Sequence, residues 1–397
     1  MNYKNRYLLF FSAMTLFHLA SNFAHPVTPT IIQNLGLPDY MFGLMLAVTM
    51  LSNFSMSPFW GVMNLYISSR QSLMICCIGY GLAQLGFAFS TTQAGILFAR
   101  LLAGVFVGGI FVSLLTYVVN TARPEDQARF LTYSATIHSV FGAFGYLVGG
   151  VLGEFSIRMT FLLQSFCLCA AGVVFRLCCL PDATHAERIS VKELAVNANP
   201  LDAFRNGKYF MDTAFALLFL VNILINLGNT GFDQVFNYYL KDQLGLTSSY
   251  NGIIKAIVGF ISFLFNMTLC LWIIRKTDTK KSMVFLVSAC TLAAVGTVLT
   301  PRIAVFILFG IILYAGYSVS IPVLQDIVAT RADPTQKNLV MGFYNASKSL
   351  GSIIGSLMAG FLYAIHVKLP FACVAMVYAL SIAAAFGYLL FCQNTQH

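Results

Sequence analysis

Apolar residues along this chain come in long, nearly unbroken runs, without the two-residue alternation of a half-buried strand. Twelve runs recur, near 7–27, 40–63, 72–90, 94–121, 130–153, 159–180, 210–232, 250–274, 282–300, 303–329, 339–365 and 369–392. Each approaches the roughly 20 residues a helix needs to cross a bilayer. In hydrocarbon, only a helix or a closed barrel satisfies every backbone polar group, and runs of this length are far longer than barrel strands. The pattern predicts an all-α membrane protein with twelve transmembrane helices. The longest polar interruption, "PDATHAERISVKELAVNANPLDAFRNGKY", divides the runs six and six. The expected organisation is an N-terminal half (1–180), a linker (181–209) and a C-terminal half (210–397).

The halves repeat each other at an offset of 209 residues. Leu35-Gly36-Leu37 lands on Leu244-Gly245-Leu246, Phe23 on Phe232, Gly43 on Gly252, Ala47 on Ala256, Gln127 on Gln336 and Gly142 on Gly351. One offset holding across five spans means that equivalent helices and loops have equal lengths. An even number of spans per half leaves both halves in the same orientation, which makes them two parallel six-helix repeats.

Composition agrees with the pattern. The chain is 58% hydrophobic and 9% charged, with mean hydropathy +0.78, whereas soluble domains carry about 25% charged residues. The net charge of +9 raises the question of an acidic partner, and placement answers it. With the N-terminus inside, the inner segments hold sixteen Lys and Arg, among them Arg70, Arg123, Lys280 and Arg331, against four outside (Arg158, Lys241, Arg302, Lys368). That bias orients membrane helices. Both termini are expected in the cytoplasm, the location is expected to be the plasma membrane, and no nucleic-acid partner is implied. "MNYKNRYLLFFSAMTLF" has the basic and apolar regions of a signal peptide without a convincing cleavage site, and reads as the first span. The ten cysteines lie mostly in the spans, without CxxC or metal spacing, so neither a disulfide frame nor a metal site is expected.

Ionisable residues inside spans usually face a bundle interior or a wet cavity. Arg100 lies about 10 Å in from the outer end of the fourth span, and Lys348 about 15 Å into the eleventh, at 1.5 Å per residue. Lys255, near an outer end, is expected to snorkel to the headgroups. Acids are few: Asp233 at the outer end of the seventh span, Asp326 near the inner end of the tenth, Asp212 at the inner start of the seventh. Asp326 reads either as a coupling acid or as the partner of Arg331, five residues on. Asp233 reads as a substrate-entry acid or a solvated loop-edge one. Histidine titrates near neutrality, so His18, His25 and His138 are alternatives for proton handling or plain hydrogen-bonded packing. Asn222 and Asn226, at i and i+4, share a helix face and line a cavity or bond between helices. Asn22, His25, Arg100, His138, Asn222, Asn226 and Lys348 are the substrate-binding candidates. Gly61, Arg70, Asp233 and Asp326 are the coupling or gating candidates.

Several short motifs carry a family resemblance. "HPVTP" places Pro26 and Pro29 as PxxP, Pro58 and Gly61 match the start of a loop motif between the second and third helices, and Arg100 and Gly104 form RxxxG. "GYLVGG" (145–150) resembles the Gly-Pro-x-x-Gly-Gly antiporter signature with Tyr146 in the proline position. Leu65 replaces the loop motif's acid, and only Arg70 remains of its basic part. Pro322 and the series Gly351, Gly355, Gly360 complete the set. Together these resemble the major facilitator superfamily, in particular its drug:proton antiporter branch. The resemblance implies two parallel six-helix halves around a central cavity, lined by helices 1, 4, 7 and 10 with parts of 2, 5, 8 and 11. It implies no enzyme, and no phosphate loop, HExxH or GxSxG motif is present. No cofactor is expected, and a proton gradient is expected to supply the work. The expected partners are a small-molecule substrate and the lipid bilayer, with the monomer as functional unit. The expected function is proton-coupled efflux of amphipathic or drug-like compounds. An organic-anion carrier is the alternative, favoured by the surplus of membrane cations. A non-transporting receptor on the same fold is a reading of another class.

Overall fold

The structure, a computed structural model, describes residues 3–182, 198–333 and 335–394. Its long helices are α1 (Tyr3–Ser21), α2 (Met41–Tyr66), α3 (Ser69–Phe89), α4 (Gln93–Thr121), α5 (Pro124–Phe155) and α6 (Ile157–Cys178). The second set is α7 (Thr213–Asp242), α8 (Ser248–Lys276), α9 (Thr279–Leu299), α10 (Ile303–Arg331), α11 (Lys337–Ile365) and α12 (Leu369–Asn394). Among the described residues eleven helices, α2 to α12, are long and apolar enough to cross a bilayer. Helix α1 is the twelfth, its first turn made polar by Lys4, Asn5 and Arg6. Residues 183–197 of the expected linker lie outside the described residues; its end forms a short helix, Asp202–Arg205, and a tight turn, Asn206–Tyr209.

Two boundaries differ from the sequence pattern. The first apolar run is not one helix: α1 ends at Ser21, and a separate short helix, Thr28–Asn34, follows. Pro29 occupies that helix's first turn, where a missing N–H costs nothing. Helix α7 runs ten residues beyond the apolar run, to Asp242, because "DQVFNYYLKD" is polar enough to break the hydropathy pattern but has nothing in it that breaks a helix.

The chain divides into two compact units. The first comprises Met1–Leu37, Val48–Pro200 and Leu244–Gly259, the second Pro38–Ala47, Leu201–Gln243 and Phe260–His397. Inside the first, α1 packs on α5 and α6 while α3 packs on α4 and α6. Inside the second, α7 packs on α11 and α12 while α9 packs on α10 and α12. These are the same four pairings shifted by six helices.

Glycine permits the closest of them. A Cβ at Gly145 would collide with the α1 backbone at Leu19 and one at Gly149 with the backbone at Phe23, just past α1, while one at Gly351 or Gly355 would collide with α7 at Ile223 and Leu227. Small residues at membrane-helix contacts let backbones approach this way. The repeat also fixes backbone geometry: Gly36 (φ 58°) and Gly245 (φ 63°), mates at the 209-residue offset, both take the left-handed conformation that glycine adopts without penalty. At Gly36 the hydrogen bonds Leu37 N–H to Ile32 O (3.0 Å) and Gly36 N–H to Gln33 O (3.1 Å) close the preceding helix.

Two helices carry interior irregularities. Pro58 sits within α2, and α8 contains a π turn, Asn266–Cys270, between its α-helical parts.

Candidate functional site

In the first unit the polar residues of α1, α3, α4 and α6 converge near the end of α1. The Gln164 side-chain amide donates to the carbonyls of Ala20 (3.0 Å) and Ser21 (3.3 Å). Tyr80 donates to Ser21 O at 3.4 Å and accepts from Gln84 at 3.2 Å. These carbonyls lie where α1 stops; Ala20 O keeps one backbone donor, the Phe23 N–H at 3.1 Å, and the buried side chains supply the further donors. Arg100 belongs to this region. It is 8% exposed, its guanidinium lies 4.0 Å from the centre of the Phe87 ring, and its Nε has no polar partner. It forms no ion pair among the described residues; the Tyr80 hydroxyl is the ionisable group within its electrostatic reach. Arg100 is thus a buried, uncompensated cation on an aromatic face.

A second cluster joins α1 to α5. The Nδ1 atoms of His18 and His138 lie 3.1 Å apart, with the rings edge to face and Phe111 of α4 against both. Asn22, one turn beyond His18, turns inward on its own chain and donates to His18 O at 2.9 Å and to Ser21 Oγ at 3.2 Å. His25 stacks on Tyr146 with centroids 5.2 Å apart, and the Lys255 ammonium lies 5.6 Å from the centre of the same ring. Lys255 is 7% exposed, so it does not snorkel to a surface as expected; the aromatic ring at the signature's proline position takes its charge instead. A Cβ added at Gly61 would meet only a Val112 methyl, at 3.9 Å. Arg70 reaches the Cys179 carbonyl at 3.4 Å, next to Ser69, whose N–H and hydroxyl both donate to Asp182 (2.7 and 2.6 Å).

In the second unit, α7 supplies a polar edge to both α10 and α11. Asn222 donates to Tyr344 O and Ser347 Oγ, each at 2.8 Å. Asn226 donates to Asn222 at 2.9 Å and accepts from Tyr317 at 2.8 Å. Asp233, seven residues further along α7, accepts from Tyr314 at 2.8 Å. Asn226 and Asp233, two turns apart on α7, bond Tyr317 and Tyr314, less than one turn apart on α10, so the pairs form two rungs between α7 and α10. Asp233 is not a loop-edge residue, because α7 continues nine residues past it. Lys348 on α11 is half-buried and has no charged neighbour among the described residues. Asp326 is not the partner of Arg331: Arg331 bonds Asp212 at 2.6 Å.

Of the sequence-derived candidates, Asn222 and Asn226 meet directly, and His138 meets His18. Arg100 and Lys348 lie in different units. Gln84, Gln164, Tyr80, Tyr314 and Tyr317 were not singled out in the sequence. The two glutamines had a signal, an amide inside an apolar run, which is costly to bury unbonded; the tyrosines had none among eighteen.

A long polytopic chain of two like-folded six-helix units, with buried charges and amides in both, has the form of a membrane transporter. The sequence matches the family described as Major Facilitator Superfamily over residues 10–324, and the chain belongs to that superfamily. Multidrug resistance protein 2 of Bacillus subtilis (strain 168) is 22% identical over 374 residues, covering 93% of this chain and 91% of that protein. Quinolone resistance protein NorA of Staphylococcus aureus (strain MSSA476) is 20% identical over 368 residues, covering 92% of each. The crystal structure of the human organic anion transporter MFSD10 (TETRAN) superposes with a TM-score of 0.69 at 16% identity, covering 97% of this chain and 100% of that one.

Proposed function

We propose that the protein exports small amphipathic or drug-like compounds across the plasma membrane by alternating access, in exchange for protons. The observation that carries this reading is end-to-end similarity to two drug-resistance proteins, above 90% of both chains in each case. The positive-inside bias supports cytoplasmic termini. The monomer is the proposed unit, since each half already packs its own helices.

An organic-anion carrier is the second reading, favoured by one observation. Arg100 and Lys348 are membrane cations without an acidic partner among the described residues, and a substrate anion would compensate them. The test is proteoliposomes containing the purified protein. Ethidium accumulation driven by an imposed pH gradient, and lost with an uncoupler, supports proton-coupled export. Accumulation of an aromatic carboxylate but not of ethidium supports the second reading, and indifference to the uncoupler overturns proton coupling.

A further inference from the structure

We infer that His18 and His138 form one proton-binding site within the N-terminal unit, and that this site carries the proton exchanged for substrate. The inference rests on the proton-coupled reading above. Two imidazole Nδ1 atoms at 3.1 Å cannot both present lone pairs, so one ring donates its Nδ1 proton to the other. Burial selects the donor. His18 is 2% exposed and its Nε2 is enclosed with no polar partner. A buried N–H without an acceptor is the rarer orphan, so neutral His18 holds its proton on Nδ1 and donates. His138, the exposed ring, accepts on Nδ1 and keeps its own proton on Nε2.

The neutral pair therefore holds two protons on four ring nitrogens. Loading adds a third at the exposed ring: an N–H forms at His138 Nδ1, the positive charge rests on His138, and the two rings part because both Nδ1 atoms then carry a proton. Breaking the His138 Nδ1–H bond releases the proton and restores the bridge from His18 Nδ1–H. A proton thus enters and leaves at His138, and His18 registers it through the loss and return of the shared bond.

The surroundings suit this. The rings of Phe17 and Phe111 enclose His18. The titratable side chains on the elements packed against the pair are engaged elsewhere. Tyr80 of α3 bonds Ser21, Arg100 of α4 lies on Phe87, and Tyr133 of α5 bonds Arg129. Tyr7 of α1 bonds Thr121, and α6 contributes the neutral Gln164. His18 lies fifteen residues into α1 and His138 fourteen into α5, so the pair sits roughly 22 Å along both helices at 1.5 Å per residue. That depth is within the hydrocarbon region, where a proton carrier has to be.

The test uses the full-length protein. In nanodiscs with ¹⁵N-labelled histidine, a pH titration should show one shared step at the Nδ1 atoms of both rings, and His138→Gln should remove that step from His18. Two independent titrations would overturn the site. In proteoliposomes, ethidium accumulation driven by a pH gradient is divided by gradient-free ethidium counterflow, which corrects for misfolding. His18→Gln and His138→Gln should each lower that ratio at least tenfold, with the double variant no lower than either. Wild-type ratios in both variants, or losses that multiply in the double, would overturn the pair as carrier while leaving proton coupling intact. A wild-type ratio indifferent to the gradient would overturn proton coupling and the pair's role together.

Discussion

Arg331, the last residue of α10, donates a hydrogen bond to Asp212, the residue that caps the start of α7, at 2.6 Å. Asp212 also accepts from the Phe215 N–H at 2.7 Å, so one carboxylate closes a helix and ties it to a neighbour. Burial opposes its charge, but the Phe215 N–H and Arg331 outweigh burial and hold its carboxyl below the ordinary carboxylate range. The depressed value sets the sign. This contribution to stability is full above about pH 4, the unfolded carboxyl value, and is lost as pH falls through the lower folded value.

Replacing Asp212 with Ala should destabilise the protein by about 1 kcal/mol, the size of a lost helix cap; the ion pair, half exposed, adds little. Thermal unfolding in detergent between pH 7 and pH 3 checks this. Wild-type stability should fall at the acid end more steeply than that of Asp212→Asn. Parallel profiles would contradict it.

Close approach of α5 to α1 should make Gly149 intolerant of a side chain. A Cβ there falls 2.5 Å from Phe23 Cα, so Gly149→Ala requires the two helices to separate, at about 1–3 kcal/mol. Gly142→Ala places its Cβ 3.4 Å from the Asn22 amide nitrogen, an ordinary contact, and should shift stability by under about 0.5 kcal/mol. Melting temperatures of the two variants in one detergent give the comparison.

The α7–α11 contact should depend on Asn222. Asn222→Leu removes the bonds to Tyr344 O and Ser347 Oγ and the side-chain bond from Asn226, at a cost of about 1–3 kcal/mol for the set. A double-mutant cycle with Ser347→Ala should return a coupling near the ~0.6 kcal/mol average of membrane-protein hydrogen bonds. Zero coupling would mean that the two side chains do not interact.

Lys348 separates the two substrate readings. If it compensates a substrate anion, Lys348→Ala should reduce anion uptake at least tenfold while leaving the melting temperature unchanged or raised, because a buried unpaired charge is removed. Lys348→Arg should recover part of the uptake. Equal kinetics in all three proteins would exclude the anion role.

Much of this architecture was legible in the residues, for reasons the structure makes concrete. The 209-residue offset was carried by Gly36 and Gly245, whose shared left-handed geometry only a backbone requirement explains. The i, i+4 spacing of Asn222 and Asn226 put them on one face, and they bond each other. Partners across helices were not legible. Asp326 and Arg331, five residues apart, are separated by about 140° around a helix of 3.6 residues per turn, so proximity in sequence misled, and the true partner of Arg331 lies 119 residues away. The depth of Asp233 was hidden because hydropathy fell before α7 ended. The contacts of Tyr146, which stands in the signature's proline position, with His25 and Lys255 have no trace in the local sequence.

The π turn of α8 gains meaning when its numbers are reduced by the repeat length. Residues 266–270 become 57–61, the stretch of α2 that holds Pro58 and Gly61. Both halves carry an irregularity at the same repeat position, with different chemistry. In α2 the proline supplies no N–H to the ladder, whereas in α8 a wider turn shifts the hydrogen-bond register. A departure kept at one repeat position while its chemistry differs between the halves belongs to the repeat rather than to either sequence, one joint drawn twice on the same plan with different hardware.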